Sequence, residues 1–170
     1  MLEAIRKRRS IREYSSKPVE KEKLDEVLKA AMFAPTAHHS RSWEFVVVQD
    51  KETKTRLSVA TDWAGFAKQA SVIIVICSKP DSYWVENCSI AAQNIYLEAT
   101  DQGLGTCFIQ LNRQMIEIKG RNSEEYVKDL LKIPKDHRVL CLMPLGYPAE
   151  KIGEHQDSEF DLKKIHLGKW

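Results

Sequence analysis

At residues 71–78 the chain reads SVIIVICS, in which all six residues between the two serines are apolar. We predict a β-strand here, and a strand that is apolar on both faces must be covered on both. This requirement places the strand in the middle of a sheet with helices on either side. The stretch therefore predicts a layered fold of helices and sheet.

The sequence on both sides of this strand predicts the other layers. Leu24, Val27, Leu28 and Ala31 recur at the spacing of one helical face, and Pro35 must end that helix. Further helices are predicted at 51–60, 83–102 and 123–131, and further strands at 44–50, 103–111 and 138–148. Periodicity thus indicates about four buried strands among helices.

The predicted helix at 83–102 has an unusual apolar pattern. It contains no glycine or proline, and its apolar residues spread around most of its circumference. A helix of this kind is buried on more than one side. One domain of a 170-residue chain does not easily surround such a helix, so we infer that a second subunit covers the remainder.

Length and composition are those of a single globular domain, residues 1–170. Hydrophobic residues make up 43 % and charged residues 29 %, and a net charge of +2 argues against a bulk polyanion as partner. No apolar run approaches the roughly 18–20 residues of a membrane span, so we expect a cytoplasmic protein with no membrane partner. Cys77, Cys107 and Cys141 lie in apolar runs without a CxxC pair and are expected to be reduced core thiols.

Positive charge is concentrated in one place, residues 6–14, which read RKRRSIREY. Guanidinium groups present forks of donors that match phosphate oxygens, and a serine hydroxyl adds another donor. Arg8, Arg9, Ser10 and Arg12 are therefore candidates for holding one phosphate monoester. A solvated charged surface is the plain alternative, and a nucleic-acid-binding arm is a third reading that the nearly neutral charge balance does not favour.

These residues begin a series of motifs that resembles the FMN-dependent nitroreductase family. RRSIREY resembles its R-x-S-x-R-x-F/Y signature, and AAMFAPTAHHSRSWEFVVV resembles its A-P-S-x-x-N-x-Q-P-W loop and the strand that follows. AAQNIYLEATDQGLGTCFI resembles its long helix followed by G-L-G-T-C-W-I, and LGYPAEK resembles its last strand and turn. The four matches occur in the family's order and span about residues 4–151.

The resemblance implies an α+β fold, with a central mixed β-sheet flanked by helices, built as an intertwined homodimer with FMN in clefts between the subunits. It assigns the FMN phosphate and ribityl chain to Arg8, Arg9, Ser10 and Arg12. It assigns the lining of the flavin ring to the other subunit's Pro35, Thr36, Ala37 and His39, and places backbone N–H donors at Phe108, Gln110 and Leu111. The C-terminal tail, about 151–170, is expected to pack on the partner, where Ile165, Leu167 and Trp170 find an apolar surface.

The implied function is NAD(P)H-driven, ping-pong reduction of small electron-poor compounds such as nitroaromatics and quinones. A flavin carries out hydride transfer itself, so the absence of a recognisable triad is expected, and no catalytic side chain is assigned. The alternatives are a flavin-binding sensor or carrier without turnover, and a flavoenzyme of the same fold with another reaction, such as dehalogenation or oxidation.

The chain departs from the family pattern at several positions. His39, Arg41 and Ser42 replace the usual Asn, Gln and Pro of the second motif. The C-terminal basic residue that often joins the phosphate site is not evident, which leaves Lys151 as a substitute. No metal is expected at His38 and His39, because adjacent histidines rarely point the same way and no further ligands accompany them.

Overall fold

A five-stranded sheet forms the centre of the computed structural model, which describes residues 1–111 and 122–170. The strands are β1 (Trp43–Val48), β2 (Val72–Ser78), β3 (Gly105–Thr106), β4 (Ile109–Gln110) and β5 (Arg138–Gly146). The α-helices are α1 (Glu3–Lys7), α2 (Lys21–Met32), α3 (Lys51–Leu57), α4 (Trp84–Asp101) and α5 (Ser123–Leu131). The predicted α+β fold is confirmed, and helices and strands lie at the expected places except at residues 103–111.

The strand expected in the middle of the sheet is β2, which lies between β1 and β5 and is buried at all seven positions. The pairs that join the five strands are antiparallel. A single parallel bridge from Ser10 to Thr106 adds the N-terminal segment beside β3 and makes the pairing mixed.

Both faces of β2 are covered, as the unbroken apolar run requires. Val72, Ile74 and Ile76 pack into a core with residues of α2 and α4. The alternate residues Ile73 and Val75 pack into a second core with residues of α3 and α5. Successive side chains of a strand point to opposite faces, so one continuous apolar stretch supplies both layers.

The strand predicted at 103–111 is divided. Gly103, with φ 72°, ends α4, and the chain then forms β3 and β4 on either side of Cys107 and Phe108. The interruption faces Pro144 of β5, which has no N–H to donate. The Phe108 N–H leaves the ladder and donates to the hydroxyl of Tyr96, at 2.7 Å.

The N-terminal segment is attached to the sheet by backbone and side-chain bonds. The Ile11 N–H donates to the Thr106 carbonyl at 3.0 Å, and the buried Tyr14 hydroxyl donates to the carbonyls of Ile11 at 2.7 Å and Pro144 at 3.1 Å. A Cβ built on Gly105 would lie 2.5 Å from the Ile11 side chain. The absence of a side chain at Gly105 therefore permits this close docking.

Several apolar side chains outside these cores are exposed. In the tail Phe160 is 67 % exposed, Leu162 70 % and Trp170 98 %, and Ile90 on the outer side of α4 is 40 % exposed. In the described part of the chain these tail side chains thus keep most of their apolar surface exposed. Within that same part, no helix combines the length and apolarity needed to cross a membrane.

We expect Gly105→Ala to lower the stability of the protein by about 1–3 kcal/mol, because the added methyl group overpacks the contact with Ile11. The loss is measured by urea denaturation. Gly65→Ala is the matched control, since a Cβ there meets nothing within 4 Å. Equal stability of the two variants would show that the docking of Ile11 tolerates a side chain at position 105.

Candidate functional site

Three of the residues predicted to hold a phosphate lie together. The chain from Arg8 to Arg12 runs outside the helices and bridges to the sheet at Ser10, and alternate residues of an extended segment share a face. The Arg8 guanidinium lies over the ring of Tyr96, 5.2 Å from its centroid, and the Ser10 hydroxyl lies 3.1 Å from the hydroxyl of the same Tyr96. Arg12 Nη1 donates to the Ser10 carbonyl at 3.2 Å.

Arg9 stays a predicted phosphate ligand. The hydrogen bond with His155 lowers the pKa of Glu159, and the charge of Arg9 helps to lower it. The Arg9 side chain lines a separate cavity of about 430 Å³ together with Ile11 and Lys151. Lys151, the expected C-terminal substitute, belongs to the cavity on the Arg9 side.

The C-terminal residue that does reach the cluster is His155. Its Nε2 lies 3.0 Å from Arg8 Nη2, its Nδ1 lies 2.7 Å from a Glu159 carboxylate oxygen, and its backbone N–H donates to the Arg6 carbonyl at 2.9 Å. These contacts close one side of a cavity of about 750 Å³ that Arg8, His155 and Phe160 help to line. No local pattern in the sequence marks His155, because its partners lie at the other end of the chain.

Tyr96 is the second residue that the sequence motifs did not identify as part of the site. It is 8 % exposed, and its hydroxyl accepts the Phe108 N–H while lying beside Ser10 Oγ. Burial raises the pKa of this hydroxyl, which stays protonated at neutral pH. The thiol of Cys107 shares the same corner, and burial raises the pKa of this thiol too, so a thiolate is not favoured there.

Two of the three backbone N–H groups expected beside a flavin ring donate hydrogen bonds within this chain. The Phe108 N–H donates to Tyr96, and the Leu111 N–H donates to the Leu140 carbonyl at 2.9 Å. Both amide hydrogens are therefore engaged within this chain, and the placement of flavin donors at Phe108 and Leu111 stays a prediction. Gln110 lies in β4 opposite Cys141 of β5.

The loop predicted to line the ring, residues 35–42, has a strained backbone. His38, His39 and Arg41 have φ values of 53°, 53° and 43°, a left-handed region that residues with a side chain seldom adopt. Strain of this kind concentrates at functional sites, where the surrounding structure maintains it. Here the buried Asn87 of α4 accepts the Ala37 N–H at 2.9 Å and donates to Ser40 Oγ at 3.1 Å.

Thr36 and the exposed side chains complete the loop. Thr36 Oγ1 accepts the Arg41 N–H at 3.1 Å, and Ala37 begins a 3-10 turn that ends at His39. The side chains of Pro35, His39 and Arg41 are exposed. Of the predicted ring-lining residues, Thr36 and Ala37 therefore shape the loop, whereas Pro35 and His39 present their side chains to the outside.

The loop and the arginine cluster lie at different levels of α4. Asn87, which contacts the loop, and Tyr96, which contacts the cluster, are nine positions apart, or about 13 Å along a helix axis. The loop with Pro35, Thr36, Ala37 and His39 is thus attached at one level of α4, and Arg8 and Ser10 lie at another. In the described residues no group of three or more His, Cys, Asp or Glu side chains is arranged to hold a metal ion.

Comparisons with known proteins agree with this architecture. A model of the nitroreductase family matches residues 5–64 and 60–147. A solved structure of an FMN-dependent nitroreductase from Clostridium difficile R20291 is 40 % identical, covers 100 % of both chains and superposes with a TM-score of 0.96. A protein of Methanothermobacter thermautotrophicus, provisionally named NADH dehydrogenase/NAD(P)H nitroreductase, is 37 % identical over 100 % of this chain and 87 % of its own length. An FMN reductase [NAD(P)H] of Bacillus subtilis is 25 % identical over 89 % of this chain and 67 % of its own length.

We expect Asn87→Ala to release the loop, because two of its anchoring hydrogen bonds are lost and the left-handed backbone then relaxes. Limited trypsin digestion should cut after Arg41 at least tenfold faster than in the unsubstituted protein. Asn94→Ala is the matched control, since Asn94 also lies on α4 and donates one bond, to the Ala30 carbonyl at 2.8 Å, away from the loop. Equal cleavage rates in both variants would mean that Asn87 does not maintain the loop.

Proposed function

The chain belongs to the nitroreductase family, and from this membership we propose that it is an FMN-dependent oxidoreductase that uses NAD(P)H to reduce small electron-poor compounds, nitroaromatics and quinones among them. The observation that carries the proposal is the shared face of Arg8, Ser10 and Arg12 beside the sheet. Four buried free cysteines suit the reducing cytoplasm, which is the proposed location.

The donor set on this face fits the phosphate of FMN. Two guanidinium groups match the charge and the oxygen geometry of a phosphate monoester, and the Ser10 hydroxyl adds a neutral donor. Beside them Thr106 Oγ1 is buried and has no hydrogen-bond partner among the described residues. A buried polar atom of this kind is satisfied when a bound group or water supplies its partner.

When bound, FMN supplies the hydride chemistry, and the protein supplies position, charge and access. Arg8 and Arg12 offset the negative charge of the phosphate and hold that end of the cofactor. The loop at residues 35–42, held rigid by Asn87, offers a preformed backbone edge for the ring. An acceptor and NAD(P)H that use the same open face in turn would give ping-pong kinetics.

The complete site requires two copies of the chain in this proposal. In this proposal the loop of a partner lines the ring, and Arg8, Ser10 and Arg12 of this chain hold the phosphate. The exposed tail and Ile90 support this arrangement, since a second copy would cover apolar side chains that one chain leaves in water. Exposed His39 and Arg41 then border the opening through which acceptors enter.

The function is tested with the purified protein. We expect a yellow protein with the absorbance bands of oxidised flavin, bleached by NADH or NADPH without oxygen and restored by a quinone such as menadione. Repeated bleaching and recovery distinguishes an enzyme from a flavin carrier. A protein that takes up no flavin when incubated with excess FMN would refute the proposal.

Replacing both Arg8 and Arg12 by alanine should reduce FMN affinity at least a hundredfold, because charge-assisted bonds to the phosphate carry much of the binding. The affinity for riboflavin, which lacks the phosphate, should change little. Both constants come from the quenching of flavin fluorescence. Lys51→Ala with Arg56→Ala is the matched control, since it removes two exposed cations of α3; equal FMN loss in this control would point to net charge instead of direct contact.

The dimer is tested through the apolar residues of the tail. Replacing Phe160, Leu162 and Trp170 by serine should weaken self-association at least tenfold, because their burial against a second copy is lost. Analytical ultracentrifugation over a concentration series measures the dissociation constant. Serine at Lys163, Lys164 and Lys169 is the control in the same segment, and a dimer equally strong in both triple variants would exclude the tail from the interface.

A further inference from the structure

Tyr96 occupies a position between the two parts of the proposed phosphate site. Its ring lies under the Arg8 guanidinium, and its hydroxyl is within hydrogen-bond distance of both Ser10 Oγ and the Phe108 nitrogen. It is the one side chain of α4 that contacts both Arg8 and Ser10 in the described part of the protein. The nitroreductase motifs quoted above assign no role to it.

The hydrogen bonds around the Tyr96 hydroxyl favour one direction. A tyrosine hydroxyl has one hydrogen to donate, and here its oxygen already accepts the Phe108 N–H at 2.7 Å. The hydrogen of Tyr96 is then directed to Ser10 Oγ, at 3.1 Å, which is a better acceptor than the neighbouring Cys107 thiol. Ser10 Oγ, having accepted this bond, keeps its own hydrogen for a further partner.

The same ring fixes Arg8. A guanidinium at 5.2 Å from the centroid of an aromatic ring is attracted to its face and loses rotational freedom. His155 further restricts the movement of the guanidinium, since its Nε2 lies 3.0 Å from Arg8 Nη2. Arg8 is therefore held near Ser10 before any ligand arrives, and preorganisation of this kind strengthens binding.

We propose that Tyr96 is a positioning residue that orients Ser10 as a hydrogen-bond donor and Arg8 as a cation toward one phosphate group. The inference rests on the proposed FMN site and adds a residue that acts on the phosphate through Ser10 and Arg8. In this arrangement the Tyr96 oxygen accepts the Phe108 N–H and its own hydrogen is donated to Ser10 Oγ. A side chain without a hydroxyl at position 96 would donate nothing to Ser10 Oγ, and Ser10 would then be free to turn its own hydrogen away from the phosphate.

Tyr96→Phe tests the inference, because it removes the hydroxyl and keeps the ring. We expect the dissociation constant for FMN to rise about tenfold while that for riboflavin stays within twofold. Tyr126→Phe is the matched control, since it removes a hydroxyl that donates to the Arg56 carbonyl at 3.0 Å, on the other face of the sheet. The control should leave both constants unchanged.

A double-mutant cycle with Ser10→Ala separates positioning from general destabilisation. If Tyr96 acts through Ser10, adding Tyr96→Phe to Ser10→Ala should weaken FMN binding by less than threefold more. Full additivity of the two substitutions, or an equal loss of FMN and riboflavin in Tyr96→Phe, would overturn the inference. Thermal unfolding of the apo variants shows whether either loss comes from a failure to fold.

A second probe distinguishes failure of the proposed function from failure of the inference about Tyr96. If the unsubstituted protein binds neither flavin, the same variants are compared with inorganic phosphate as the probe. Stabilisation of the unsubstituted protein by phosphate against heat, reduced in Tyr96→Phe and kept in Tyr126→Phe, would support the inference without a flavin. Equal stabilisation of all three proteins would overturn it.

Discussion

The attachment of the N-terminal segment to the edge of the sheet is the constraint on which the rest of the site depends. The Ile11 N–H donates to Thr106, and the approach is close enough that position 105 has no room for a side chain. This bond sets the register of the segment, and the register decides which alternate residues face Tyr96 and which face away. A shift by one residue would exchange Arg8 and Ser10 for Arg9 and Ile11, and the cationic face would become partly apolar.

Helix α4 connects the two parts of the proposed site. Two of its buried polar residues contact irregular backbone. Asn87 contacts the strained loop, and Tyr96 contacts the interruption between β3 and β4. Each accepts a hydrogen bond from a backbone N–H that has no partner in a helix or strand. This explains why polar side chains are tolerated on a helix packed in the core. The helix thereby holds two irregular segments at a defined separation along its axis.

The proposed assembly builds on the same helix. In that proposal a second copy supplies the loop that lines the cofactor held by the arginines of this chain. The same assembly would cover the exposed apolar tail and the outer side of α4. Cofactor binding and self-association would then depend on one another, since each cofactor completes contacts between two chains.

The sequence alone determined most of the elements and the chemistry of the candidate residues. The apolar run of β2, the helical spacing before Pro35 and the concentration of positive charge at residues 6–14 are local patterns, and local patterns are sufficient to predict them. Tertiary structure alone decided the partners. Tyr96 meets Ser10 from 86 positions away and His155 meets Arg8 from 147 positions away. The amides of Phe108 and Leu111 are used internally. Such hydrogen-bond partners are decided by three-dimensional packing that no local pattern encodes.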